Sequence, residues 1–305
     1  MIDKLEFLLA LARERHFGRA AEVCNVTQPT LSAGLKQLEG SLGVLLVTRG
    51  ARFQALTPEG ERVLDWAKRI VGDVRTMRQE VHALKQGRLV GHLRIAAIPT
   101  ALAMVSALTT PYHVQHPDVR FTVRSATSMD VLTALDNLEI DAGISYLDNE
   151  PIGRVRAIPL YREQYRLLIA ADSPFGDRAQ VTWAEIGRIP LCLLTPDMQN
   201  RRIINHLLRD AGTLDPAPTL ESNSVIVLFS HVRTGQWASV MPAILAETLG
   251  LGGAVRAIPI VEPAAMHTIG LLVPNREPMT PTTAALVAEA LRLAPALDKE
   301  LAAKR

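Results

Sequence analysis

The chain has 305 residues, 48% of them apolar, which is enough material for two or three domains with full cores. Charged residues make up 21% and the net charge is +2, which excludes a disordered polyelectrolyte, and no apolar run reaches the roughly 18 residues of a membrane span. Asp3 and Glu6 and the lack of a small-residue cleavage site make the N-terminus a poor export signal, so the expected compartment is the cytoplasm, with Cys24 and Cys192 as reduced, buried thiols.

In chain order, a first helix is predicted over roughly 4–15, with Leu5, Leu8, Leu9, Leu11 and Ala12 as its packing face. Residues 18–38 then read as two short helical patterns joined by a tight turn. Thr27 is a good N-cap for the second, and Pro29 falls in its first turn, where a missing N–H costs nothing. Leu31, Leu35 and Leu38 are spaced i, i+4 and i+7, which turns them inward and leaves Gln28, Thr30, Ser32, Ala33 and Lys36 outside. Short hydrogen-bonding side chains at a helix N-terminus suit the edges of bases in a major groove. The apolar run 42–47, the basic turn Arg49-Gly50-Ala51-Arg52 and then Phe53 and Leu56 read as a two-stranded wing whose arginines meet phosphates or a narrow minor groove. An ordinary helical hairpin with a solvated face is the competing reading of residues 18–38 alone.

The segment 20–49, with T-Q-P-T-L-S, Q-L-E and L-G-V at fixed spacing and L-T-P-E-G-E at 56–61, resembles the N-terminal domain of LysR-type transcriptional regulators. The resemblance extends over the whole chain, because about 300 residues with this domain first and an α/β domain after it is the family's usual layout. It implies double-stranded promoter DNA as a partner, contacted by Thr27, Gln28, Pro29, Thr30, Ser32, Ala33, Lys36, Arg49 and Arg52. It also implies a small-molecule effector, RNA polymerase as a further partner, and a homodimer that pairs into a tetramer. Residue 33 is alanine where many members carry a base, and Val47 stands where many have Phe.

Thr57, Pro58, Glu59 and Glu61 signal the start of a long helix. Val63, Ala67, Ile70, Val74, Met77, Val81 and Leu84 recur in 4-3 alternation, which is a coiled-coil seam and predicts pairing with a second subunit. A helix lying on its own domain is the competing reading, but it would show a wider apolar stripe. Residues 1–90 hold 14 Lys and Arg against 10 Asp and Glu, so the basic excess sits at this end and the remainder carries −2.

From Leu93 the pattern alternates strands (93–98, 119–124, 141–146, 165–171, 189–194, 237–241, 268–273) with helices (101–116, 128–139, 200–211, 223–234, 281–303), arguing for parallel sheets with helices on both faces. The fold class expected is therefore α/β: a winged helix-turn-helix over 1–57, a linker dimerisation helix over 58–90 and a two-lobed, periplasmic-binding-protein-like effector domain over 91–305. Lobe I would take 91–160 and 260–305, and lobe II 161–259. Strand-to-helix junctions with small hydroxyls and amides are the candidate ligand contacts. Helix capping alone would account for each residue singly. The resemblance puts Thr100 and Ser128 first, and the junctions themselves add Thr127, Gln199 and Asn200. Arg201 and Arg202 are read either as holders of an organic acid or other anion, or as a solvated helix face.

The helix-turn-helix is also similar to that of the family's peroxide-sensing branch, which carries its redox cysteines in the segment matching 197–208, where this chain has none. Peroxide sensing by that route is therefore not expected. No G-x-S-x-G, P-loop or H-E-x-x-H motif occurs, and His113-x-x-His116 has no Cys or carboxylate company apart from Asp118, so neither an enzyme nor a metal or other cofactor is expected. A second function class stays open here: a solute-binding or catalytic α/β protein with an N-terminal helical oligomerisation arm.

Overall fold

The computed structural model describes residues 1–49, 53–148, 151–213 and 216–303. Its elements run in the order α1 (Ile2–Glu14), α2 (Phe17–Val23), α3 (Gln28–Leu42), β1 (Val47–Arg49), β2 (Phe53–Leu56), α4 (Pro58–Gln86), β3 (Gly91–Ala97) and a 3-10 turn (Pro99–Ala101). There follow α5 (Leu102–Gln115), β4 (Val119–Ser125), α6 (Ser128–Asp136), β5 (Ala142–Tyr146), β6 (Val155–Ala170), β7 (Val181–Thr182), α7 (Trp183–Ile186), β8 (Cys192–Leu194) and α8 (Gln199–Asp210). The last are β9 (Leu220–Ser222), α9 (Val225–Val232), β10 (Ser239–Pro242), α10 (Ala243–Thr248), β11 (Val255–Val261), β12 (Met266–Pro274) and α11 (Pro281–Ala303). Two compact units result: residues 1–90 with the short segments 136–139 and 276–281, and the remainder.

In the N-terminal unit, Leu5, Leu8 and Leu11 of α1 meet Ala20 and Ala21 of α2 and Leu31, Leu35 and Leu38 of α3 in one core. The α2–α3 turn closes on Asn25, whose φ of 54° is left-handed, a conformation asparagine tolerates better than most residues. Phe17 meets Phe53 edge-on at 6.5 Å and seats the β1–β2 wing on α2. The buried carboxylate of Glu39 accepts the backbone N–H groups of Leu46 (3.0 Å) and Val47 (3.4 Å), tying the end of α3 to the first wing strand. Arg49 ends β1, and Arg52 lies outside the described residues.

Helix α4 begins as the capping signals require. The Thr57 hydroxyl accepts from the Gly60 N–H (2.9 Å) and donates to the Leu45 carbonyl (2.6 Å). Gly60 must be glycine, because a Cβ there would stand 2.1 Å from the Leu46 carbonyl oxygen. Thr57→Ala removes both the cap and the tie to the wing, and is expected to cost about 1–2 kcal/mol, read as a lower denaturant midpoint with unchanged m-value.

The seam expected along α4 is corrected in part. Ala67 is fully buried and Val63 half-buried in the N-terminal core, because the first half of α4 packs on α1. Val74 is half-buried, and the residues left open are Ile70 (40% exposed), Met77 (55%), Val81 (61%) and Leu84 (84%), joined by Trp66.

The second unit is built on a sheet in the order β4-β3-β5-β12-β6-β11-β7, with β10 also paired to β6. The expectation of parallel sheets holds only for part of it. β3 is parallel to β4 and β5, whereas β12 runs antiparallel to both β5 and β6, and β10 and β11 run antiparallel to β6. β6 is the element common to both lobes: Val155–Gln164 pair with β12 of lobe I, and Tyr165–Ala170 pair with β10 and β11 of lobe II. The short parallel pair β8–β9 completes lobe II.

Candidate nucleic-acid interface and effector cleft

Capping, apolar spacing and the core together aim one face of α3 outward. Thr27, Gln28, Pro29, Thr30, Ala33 and Lys36 are exposed and Ser32 half-exposed, while Leu31, Leu35 and Leu38 are buried. The Thr27 hydroxyl accepts from the Thr30 N–H (3.4 Å) and lies 2.9 Å from the Thr30 hydroxyl, so these two residues also serve the helix start. Gln28, Ser32 and Lys36 form a row at i, i+4 and i+8 along that face, with the one cation last.

In lobe I, the pairing Ala97↔Ser125 and Ala97↔Ile144 brings the segments after β3, β4 and β5 to one end of the sheet. Thr100 and Ser128 are buried there, at 2% and 3% exposure, and the Thr100 hydroxyl has no hydrogen-bond partner. A buried hydroxyl left unpaired is costly unless a ligand uses it. Thr127 differs, because its hydroxyl accepts from the Asp130 N–H (3.1 Å) and donates to the Asp130 carboxylate (2.8 Å) as an ordinary helix cap.

Lobe II reaches the same end through the first turn of α8. Gln199 donates its amide to the Asp148 carbonyl (2.9 Å), Asn200 donates to the Tyr146 hydroxyl (3.2 Å), and the Arg202 guanidinium reaches the Ser128 hydroxyl (3.4 Å). Both amide residues proposed from sequence are therefore buried between the lobes. Arg201 is neither a solvated face nor an open anion holder: it is 3% exposed and donates to the Leu194 carbonyl, Glu221 and Asn205, each at 2.8 Å.

Behind these contacts lies a polar cluster that the sequence reading missed. The Tyr146 hydroxyl donates to Glu163 Oε1 at 2.5 Å and lies 3.4 Å from the Tyr165 hydroxyl, while His267 sits opposite Glu163 in the β6–β12 register, its ring 6.2 Å from Tyr146 and 5.9 Å from Tyr165. Burial pushes the Glu163 carboxyl up to about 8, against the hydrogen bonds from Tyr146 and Tyr165, and pushes His267 below its usual range. The available signal was the two-residue period Tyr161, Glu163, Tyr165, Leu167, which puts one acid among inward-facing aromatics.

Neither thiol is placed for reactivity. Cys192 is fully buried and raised to about 11 by that burial, and Cys24 is half-buried and raised for the same reason. Trp237 packs against the lobe II core and meets His231 edge-on at 5.3 Å, so it fills that core.

The model for the bacterial regulatory helix-turn-helix protein, lysR family, matches residues 2–61, and that for the LysR substrate binding domain matches residues 86–295. The DNA-binding transcriptional dual regulator OxyR of Escherichia coli is 30% identical over 281 residues, covering 89% of this chain and 88% of that protein. A probable nitrogen assimilation transcriptional activator of Synechococcus elongatus is 25% identical over 90% of this chain and 89% of its own length. Among solved structures, a full-length OxyR variant from Pseudomonas aeruginosa superposes with a TM-score of 0.72 at 27% identity, covering 96% of this chain and 95% of that one. Full-length CbnR complexed with its target DNA gives 0.61 at 20% identity, covering 96% and 100%, a likeness of fold.

Proposed function

This chain belongs to the LysR family of transcriptional regulators, and from that membership together with its own geometry we propose how it works. It is a DNA-binding transcriptional regulator whose activity is modulated by an effector in its regulatory domain. The observation that carries the reading is the outward face of α3, short, polar and open at its N-terminal end, on a buried helix-turn-helix core. Gln28, Thr30 and Ser32 read base edges, with Ala33 offering only a methyl contact, while Thr27, Lys36 and the wing arginines Arg49 and Arg52 position the domain on phosphates. Two copies pair along α4 and present two such helices to a nearly symmetric promoter site, and the dimers pair again into tetramers that engage RNA polymerase.

The effector lies between the lobes and is read by Thr100, Ser128, Gln199 and Asn200. Because Arg201 has its hydrogen bonds made inside lobe II, an organic acid or other anion would find its donors in Ser128, Asn200 and Arg202. The peroxide response of the matched activators is not carried over. Both cysteines of this chain are held as poorly reactive thiols, and residues 197–208 contain neither. Among the described residues no helix is long and apolar enough to cross a membrane, and we place the protein in the cytoplasm, where its DNA would be.

The test is binding of the full-length protein to promoter fragments at rising salt, with footprinting. The expected result is a protected sequence-specific site and a log–log salt slope of about −5 or steeper, as several neutralised phosphates require. A flat slope with no footprint would instead favour a solute-binding protein with a helical oligomerisation arm.

A further inference from the structure

The first turn of α8 bonds lobe II to the strand ends of lobe I through Gln199, Asn200 and Arg202, and its middle contact leads inward. Asn200 donates to the Tyr146 hydroxyl, and Tyr146 in turn donates to Glu163 Oε1. Glu163 is 2% exposed, and its second oxygen has no hydrogen-bond partner. The Asn200–Tyr146 bond thus joins the lobes one hydrogen bond away from this carboxyl group.

We propose that Glu163 is a proton-operated latch: the lobes close with its carboxyl group protonated, so that closure takes up one proton and pH regulates the cleft the effector uses. The proposal rests on the effector-cleft reading above. The step is simple in balance: a hydrated carboxylate in the open form takes a proton from solvent and is sealed as a neutral acid in the closed form. An ionised oxygen sealed without a donor costs far more than a neutral hydroxyl sealed without an acceptor.

Among the described residues no cation is hydrogen-bonded to Glu163 or holds its carboxyl down. On its own strand Glu163 is flanked by Tyr161 and Tyr165, both buried phenols raised by that burial, while Arg162 is paired with Asp298. From β5 comes Tyr146, and from α8 the neutral amide of Asn200, with Arg201 turned to Glu221. His267 of β12 is held below its usual range by burial, opposed by Asp148. Arg166, also on β6, and Glu247 of α10, the charge that acts on it, line with Tyr161 and Glu163 a cavity of about 20 Å³. That is room for at most about one water beside the sealed carboxyl group.

The sign follows from linkage. The closed form holds its proton up to about pH 8, whereas an open, hydrated glutamate releases it near pH 4.3–4.5. Closure is thus most favourable below about pH 4.5, falls by up to about tenfold per pH unit from there to about pH 8, and levels off above.

The test uses the full-length protein without DNA or effector, so its outcome is independent of whether the chain binds a promoter. Spin labels on Met129→Cys in α6 and His206→Cys in α8, with Cys24→Ser, report the distance between the lobes from pH 5.5 to 9. Infrared spectroscopy follows the protonated carboxyl band over the same range. The expected wild-type result is a single short distance at low pH, a longer population growing toward pH 8, and loss of the carboxyl band in step. Glu163→Gln should stay closed at every pH and lack the band. A wild-type distance that does not change with pH, or a Glu163→Gln protein with the wild-type slope, would overturn the proposal. If Glu163→Gln does not fold, the wild-type protein decides alone: a carboxyl band that does not titrate between pH 5.5 and 9, or that titrates without any change in the lobe distance, rejects the latch.

Discussion

Ile70→Asp combined with Met77→Asp is expected to raise the dimer dissociation constant about 1000-fold or more, corresponding to roughly 4 kcal/mol, and to carry DNA affinity down with it. Both side chains are open in the single chain, at 40% and 55% exposure, so the substitutions cost the folded protomer little. In a pair they place four carboxylates in a seam whose remaining open apolar residues are Val81 and Leu84, where each is desolvated without a partner. Loss of pairing also removes the effective concentration of the second recognition helix, a factor of about 10²–10⁴ in DNA binding. Sedimentation velocity and a promoter titration on the same sample check both halves. Persistent dimers at low micromolar concentration, with helicity intact, would move the pairing surface away from α4.

The second large effect separates reading from holding. Gln28→Ala should reduce discrimination at one or two base pairs by about 1–3 kcal/mol while leaving non-specific binding nearly unchanged, because a side-chain amide on a base edge carries sequence information and no charge. Lys36→Ala should weaken binding to all sequences alike and make the salt slope shallower by about one unit. The side chains lie two turns apart on the same exposed face of α3, so the contrast tests the orientation of that face. Competition binding against randomised sites at two salt concentrations distinguishes them, and equal losses of specific and non-specific affinity in both variants would mean a different surface meets the bases.

Local chemistry made the N-terminal unit legible. Thr27, Asn25, Thr57 and Pro58 act within one turn of themselves, so the helix starts and the tight turn follow from neighbours in sequence. The same is true of the strand-to-helix junctions at Thr100 and Ser128. β6 was legible only in its second half, because Pro159 and the polar run 162–164 interrupt the apolar pattern, and what holds the first half in a strand is β12, more than a hundred residues away. β11, the short strands β7 and β9 and the mixed direction of the sheet were missed for the same reason. Of the cleft, Gln199 and Asn200 were found as a helix start, but the Tyr146–Glu163–Tyr165–His267 cluster exists only through strand register and has no local signature beyond the alternation in β6. Ala67 and Val63 show the converse limit. A 4-3 spacing gives the stripe on a helix but not which length of it the chain keeps for its own core.

Helix α4 is at once a wall of the DNA-binding core, through Ala67 and Val71, and the bearer of the open stripe that starts at Ile70. The two surfaces are joined by less than a turn of unbroken helix, so in the pairing proposed above the angle between one reader and the pairing axis is set by counting residues, about 100° and 1.5 Å for each. Such a pair would encode the phase of its two half-sites as an integer. A single inserted residue after Gly72 would rotate the rest of the pairing stripe out of register with each reader, and seven would nearly restore it.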